Sequence, residues 1–252
     1  MKKKVLSILL SAAMVAAMVS GCGSKDEGSS STDSADKTEA SSDDAAASDA
    51  TYEGTIKIGV VGPFSGSSAM VGDTEKKGVE LAAKQINENG GINGMTIELI
   101  EEDDQQDPKT AVSAINKLVS SDEVVAAVGT VNSSCTLAMM DVTENNEIPL
   151  VTPISSGVAI TDPSNSYIVR LQASDKLQAK AITEYAINDL GYKNIAVMFQ
   201  NDDFGAGGKD VVVETLKDAG IEPLAVEAFD SSATDMSAQL LKIKDLNPEA
   251  II

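Results

Sequence analysis

The chain has 252 residues, with 39 acidic against 19 basic side chains, a formal net charge of −20, no histidine and two cysteines. That excess of acid excludes the clustered Lys and Arg that a phosphate backbone requires, so no nucleic acid is expected as a partner. The missing histidine removes imidazole acid–base chemistry, Ser-His-Asp triads and histidine metal sites together. With Cys22 and Cys135 as the only thiols, no disulfide within the folded part, no cysteine metal cluster and no cofactor are expected.

The chain opens on Met1-Lys2-Lys3-Lys4, followed by an apolar run from Val5 to Val19 and then Ser20-Gly21-Cys22. A basic start, a short apolar stretch and small residues at a cut site describe an export signal. The run is shorter than the roughly 20 residues that a spanning helix needs. Its ending resembles bacterial lipoprotein signals, whose lipobox closes on a cysteine. The resemblance implies a signal peptide over residues 1–22, with diacylglycerol attached to Cys22; a plain signal peptide with a chance cysteine is the alternative. Residues 23–53 are dominated by Ser, Ala, Asp and Glu, as in Gly28-Ser29-Ser30-Ser31 and Ser41-Ser42-Asp43-Asp44. Such a composition buries too little apolar surface to offset its ordering entropy, which predicts a disordered acidic stalk.

From Thr55 onward strand and helix patterns alternate. Thr55–Val61 reads as a strand ending at Gly62-Pro63. Asp73–Asn89 carries Val79, Ala82, Ala83 and Ile86 at helical spacing and stops at Gly90-Gly91. Met95–Ile100 is a second strand. Asp107-Pro108 opens a helix with a side-chain cap and proline in the first position, and Ala111, Ile115, Leu118 and Val119 form its apolar stripe. Val124–Val128 is a third strand. Ser134–Glu144 is a helix with Cys135, Met139 and Val142 turned inward, and Ile148–Val151 is a fourth strand. A second series follows: helix Leu177–Leu190, strand Asn194–Phe199, helix Gly207–Ala219, strand Leu224–Phe229, helix Met236–Leu246, and a strand opening at Glu249. The alternation predicts an α/β fold with parallel sheets, helices on both faces, and strands buried as continuous apolar runs. Ala250-Ile251-Ile252 reads as the start of a buried strand at which the sequence stops, so the chain is expected to be truncated within its second α/β unit.

Ligands of open parallel sheets sit beyond the carboxyl ends of the strands. Three loops fall there: Gly62 to Gly72-Asp73, Gly129 to Ser134, and Thr152 to Gly157. Ser133 stands where a helix begins, so its hydroxyl and the N–H groups after it form a site for a carboxylate. Ser155 and Ser156 can bond an ammonium or carboxylate from the other side. The same spacing is equally that of a helix cap at Ser133 and a turn residue at Ser156.

The run Ile56-Lys57-Ile58-Gly59-Val60-Val61-Gly62-Pro63-Phe64-Ser65-Gly66 with Gly72-Asp73 resembles the opening of type I periplasmic-binding proteins for branched-chain amino acids. So do Ile86 to Gly94, Asp103-Asp104-Gln105-Gln106-Asp107-Pro108, Ile148 to Pro153, and Asn201-Asp202-Asp203-Phe204-Gly205. The resemblance covers Thr55 to Ile252 and lies in the order and spacing of all five stretches. It implies two Rossmann-like lobes, a first over residues 54–172 and a partial second over 173–252, with an amino acid held between them. By position, Ser133 would bind the α-carboxylate and Asn132 would line the same loop. Ile154 and Ser155 would offer backbone groups, Ser156 would stand where a threonine hydroxyl meets the zwitterion, and Phe204 where a second-lobe tyrosine closes over the ligand. The family's acidic partner of the ammonium would lie beyond Ile252. Val71 replaces an aromatic that often walls the side-chain pocket, Phe204 lacks the tyrosine hydroxyl, and Gln106 and Asn132 replace a cysteine pair bridged in some members.

The resemblance implies no enzyme. It implies an extracytoplasmic solute-binding lipoprotein of an ABC importer, working as a monomer with leucine, isoleucine or valine as ligand and permease subunits as partners. Lipid at Cys22 would hold it on the outer face of a cell membrane, as suits a Gram-positive-type envelope. The alternatives are a sensory module for a membrane receptor, or a site for another small carboxylate or amide.

Overall fold

The computed structural model describes residues 53–161 and 165–252; the expected leader, the lipid site at Cys22 and nearly all of the acidic stalk lie outside the described residues. The chain alternates β1 (Thr55–Gly62), α1 (Ala69–Glu88), β2 (Thr96–Asp103), α2 (Pro108–Ser120), β3 (Ala126–Gly129), α3 (Ser133–Asn145), β4 (Leu150–Thr152), a 3-10 turn (Val158–Thr161) and β5 (Ile168–Arg170). It continues through α4 (Asp175–Asn188), β6 (Ile195–Gln200), α5 (Asp203–Asp218), β7 (Val226–Phe229), α6 (Ser237–Asp245) and β8 (Ala250–Ile251).

The strands form two sheets, ordered β2-β1-β3-β4-β5 and β7-β6-β8, and every pairing is parallel. Each sheet therefore places its second strand on one side of its first and its third on the other. Parallel registry aligns the carboxyl ends: Gly62 pairs with Asp103, Val61 with Gly129, Thr152 with Arg170, and Gln200 with Phe229. The loops that leave those ends share one edge of each sheet.

Each sheet has its own apolar core. In the first, Val61, Ala127 and Leu150 of the strands meet Ala111, Ile115 and Leu118 of α2 and Cys135 and Met139 of α3. In the second, Ile195 and Val197 of β6 meet Ala186 and Ile187 of α4 and Val212 and Leu216 of α5. A fully buried Leu or Ile of this kind contributes about 1.5–3 kcal/mol through burial. The α2 stripe at Ala111, Ile115 and Leu118 lies where its spacing predicts, and Asp107 caps the helix by accepting from the Thr110 N–H at 2.8 Å.

The structure corrects the sequence reading at several ends. β2 runs to Asp103 rather than stopping at Ile100, and it is a charged edge strand rather than a continuous apolar run. An edge tolerates its acids because three of the four find a partner. Lys76 pairs with Glu101, Lys117 with Glu102 at 2.5 Å, and Asp103 accepts from the Phe64 N–H at 2.9 Å. α5 begins at Asp203 rather than Gly207, because Asp202 caps the first turn by accepting from the Gly205 N–H at 2.9 Å. Only glycine fits at 205, where a Cβ would lie 2.0 Å from the Gln200 carbonyl oxygen. The 3-10 turn and β5 were not visible in the residue pattern at all.

Candidate functional site

A cavity of about 650 Å³ opens where the loops after β3 and β4 meet the first turns of α4 and α5. Asn132, Ser133, Ile154, Ser156 and Phe204 line it together, as does Asp175, which the sequence reading did not single out. Val131, Ala179 and Phe199 are among its apolar walls. A few polar groups converging on a mostly apolar hollow is the usual form of a small-molecule site.

The polar end is built on the start of α3. The cap is Asn132, one residue before the expected Ser133: its side-chain oxygen accepts from the N–H groups of Ser134 at 2.9 Å and Cys135 at 3.2 Å. The Thr136 N–H goes to the Asn132 carbonyl at 3.0 Å. The N–H groups after Ser133 are thus already taken, and of the first turn's donors the Ser133 N–H is the one left for an anion. Ser133 is 2% exposed, and its hydroxyl oxygen accepts from the Gly157 N–H at 3.1 Å. That bond uses a lone pair and leaves the hydroxyl proton free to donate. Gly157 must be small, since a Cβ there would stand 2.9 Å from Ser133 Cβ and 3.0 Å from its Oγ.

Ser155 does not line the cavity. It is buried behind it, where its N–H donates to Thr152 Oγ1 at 3.2 Å and its hydroxyl to the Thr130 carbonyl at 2.7 Å. It therefore braces the loop after β4 against the loop after β3. Ser156 lines the cavity, and its carbonyl accepts from the Asp175 N–H at 2.9 Å and from Arg170 Nη1 at 3.0 Å. Asp175 opens α4 yet is only 6% exposed. Burial pushes its carboxyl above the usual range, against the Ser156 hydroxyl and the Arg170 charge, which pull it down.

From the second sheet, Phe204 enters the cavity wall at the start of α5 and remains 43% exposed. The two helix caps meet beside it: Asn132 Nδ2 donates to Asp202 Oδ2 at 3.4 Å, and the Asp203 N–H donates to Ser134 Oγ at 3.3 Å. Val71 lies on α1, is 38% exposed and is not among the lining residues.

Cys135 is fully buried in the first core, and burial pushes its thiol far up, away from reactive thiolate. Among the described residues no three metal-ligand side chains gather, and no helix is long and apolar enough to cross a membrane.

A family model described as periplasmic binding protein matches residues 55–252. The leucine-, isoleucine-, valine-, threonine- and alanine-binding protein of Pseudomonas aeruginosa is 34% identical over 190 residues, 75% of this chain and 51% of that protein. A protein of the same organism described as an amino acid binding protein is 33% identical over 78% of this chain and 52% of its own length. The chain thus spans about half the length of the curated relatives it matches. Among solved structures, the branched-chain amino acid substrate-binding protein LivJ of Streptococcus pneumoniae, in complex with isoleucine, superposes with a TM-score of 0.70 at 31% identity. That match covers 78% of this chain and 56% of that one. The leucine-binding protein LivK of Thermotoga maritima gives a TM-score of 0.71 at 27% identity, over 78% and 55% of the two chains.

Proposed function

The chain belongs to the periplasmic binding protein family, and on that premise we propose that it is a non-enzymatic solute receptor of an ABC importer. It takes a branched-chain or related amino acid between a lobe over residues 54–172 and a second over 173–252, and presents it to the permease. The observation that carries this reading is the polar end of the cavity. A hydroxyl with a free proton at Ser133 and one unused helix N–H face the hollow from the positive end of α3, an arrangement suited to a carboxylate. The apolar walls at Ile154, Val131 and Phe204 suit an aliphatic side chain. Hinge closure of two such lobes creates the surface a permease reads. A lipid at Cys22 and the acidic stalk would keep the receptor beside its membrane partner, on the extracytoplasmic face.

Ligand linkage tests the reading. A solute at a hundred times its Kd stabilises the folded state by about 2.7 kcal/mol. The full-length protein should therefore gain several degrees in Tm with one or more of leucine, isoleucine and valine. Ser133→Ala should weaken that solute about three- to tenfold in titration calorimetry without unfolding the protein. An unchanged affinity in Ser133→Ala would misplace the site, and no thermal shift at millimolar amino acid would remove the reading.

A further inference from the structure

The Ser133 hydroxyl is held by the loop after β4 through a single peptide unit, and one side chain grips that unit from behind. Arg170, the last residue of β5, is the chain's only arginine, and among the described residues it enters no ion pair. Its guanidinium is spent on the loop instead. Nη1 donates to the carbonyls of Ser156 and Gly157 at 3.0 and 2.9 Å, and Nη2 to Thr161 Oγ1 at 2.6 Å. Each carbonyl already has a backbone donor, the Asp175 N–H at 2.9 Å on Ser156 and the Ile160 N–H at 3.2 Å on Gly157. Arg170 is therefore not filling an orphaned acceptor. It places a charged donor on the second lone pair of each.

The planarity of the peptide gives that extra donor a direction. In a trans unit the C=O and N–H groups point to opposite sides. The Ser156 carbonyl and the Gly157 N–H belong to one such unit, since among the described residues the cis bond lies elsewhere, at Gly129-Thr130. With the carbonyl held by Arg170, the N–H is aimed the other way, where it donates to Ser133 Oγ at 3.1 Å. That bond takes a lone pair of the hydroxyl and leaves its proton to donate. A charge on the carbonyl also polarises the same peptide and strengthens its N–H as a donor. The chain of bonds runs from guanidinium to peptide to hydroxyl and ends at the cavity that Ser133 lines, while Arg170 is not among the lining residues.

We propose that Arg170 is a positioning residue for the solute: through the Ser156–Gly157 peptide it fixes the Ser133 hydroxyl that meets the ligand. This rests on the solute-binding reading above. The probes are L-leucine, L-isoleucine and L-valine, titrated calorimetrically into the full-length protein and into Ser133→Ala, Arg170→Lys and the double variant. Arg170→Lys keeps the charge and loses the fork. It should weaken the bound amino acid about three- to tenfold, no further than Ser133→Ala does, and the double variant should bind as Ser133→Ala alone. A brace that only stiffened the loop would weaken binding with or without the hydroxyl. Losses that multiply in the double variant therefore overturn the proposal, as does wild-type affinity in Arg170→Lys. Should Arg170→Lys fail to fold, Thr161→Val loosens the fork at Nη2 alone, from an exposed residue. Its loss of about twofold must likewise vanish once Ser133 is alanine, and a loss that persists there, or none at all, overturns the proposal. If the wild type binds none of the three amino acids, the solute reading falls, and hydrogen exchange at the Gly157 amide decides for Arg170 without ligand. Exchange that quickens in Arg170→Lys or Thr161→Val keeps the chain of bonds, and unchanged exchange overturns it.

Discussion

Glu75 offers the sharpest test of the electrostatics beneath the site. It lies on α1, is 6% exposed, and neither carboxyl oxygen has a hydrogen-bond partner. Burial, with the charge of Asp104 adding to it, pushes its carboxyl from 4.5 up to about 8. Between those two values the folded chain holds a proton that the unfolded chain has released. Raising the pH therefore favours unfolding: the contribution is full below 4.5 and is lost as pH climbs through about 8. Each pH unit in that interval is worth about 1.4 kcal/mol, so the whole of it carries about 5 kcal/mol as an upper estimate. Glu75→Gln keeps a neutral side chain of the same shape and removes the titration. Urea midpoints of wild type and Glu75→Gln, measured in parallel from pH 5 to pH 8, should diverge in favour of the variant by about 1 kcal/mol per pH unit. Asp104 remains in both proteins, so its own titration largely cancels in the difference. Parallel pH profiles would refute the argument, because they would mean that Glu75 is ionised or solvated in the folded state.

Two further substitutions probe how the site is held. Gly157→Ala brings a methyl group to 2.9 Å from Ser133 Cβ; it should cost about 1–3 kcal/mol in urea unfolding and weaken the carboxylate contact as Ser133 is displaced. Asn132→Ala removes the cap of α3 and should cost about 1 kcal/mol, most of it restored by Asn132→Ser, as read by thermal unfolding.

Much of this architecture is written locally in the chain. Asp107-Pro108 announces α2, and the 3.6-residue spacing of Ala111, Ile115 and Leu118 names the face it buries. What escapes a residue pattern is whatever depends on a partner distant in sequence. Glu101, Glu102 and Asp103 look like a loop until Lys76, Lys117 and the Phe64 N–H are brought beside them. The caps show the same limit on a smaller scale. Asn132 and Ser133 are both good cap residues, and only the Gly157 N–H on the Ser133 hydroxyl decides which of them does the capping. Asp175 is the strongest case. In sequence it is an ordinary first-turn acid complementing a helix dipole; nothing in its neighbours says that the loop after β4 will bury it.

The strand order explains why the ligand cavity sits where it does. In an open parallel sheet ordered β2-β1-β3-β4, the connections that leave β1 and β3 depart to opposite sides, and the crevice between these two strands is the natural ligand site. Here that crevice is filled by the protein itself. Glu75 lies against Gly62 at the end of β1, with Phe64 packed beside it. Asp104, just past β2, accepts from Thr130 Oγ1, just past β3, and from the Gln106 N–H at 2.8 Å. The loop after β1 spends its polar groups inward as well, with the Phe64 N–H and the Ser65 hydroxyl both on Asp103. Of the three loops that strand ends single out, the first therefore closes the switch point. The second and third, after β3 and β4, bring Asn132, Ser133, Ile154 and Ser156 to the cavity, to which the first adds Ser68. A neutral Glu75 is part of that arrangement. With Asp104 already beside it, a second charge at the switch point would push on Thr130 and so on the loop that positions Asn132 and Ser133. The pH at which Glu75 ionises should therefore be the pH at which solute affinity begins to fall, and Glu75→Gln should carry full affinity past it.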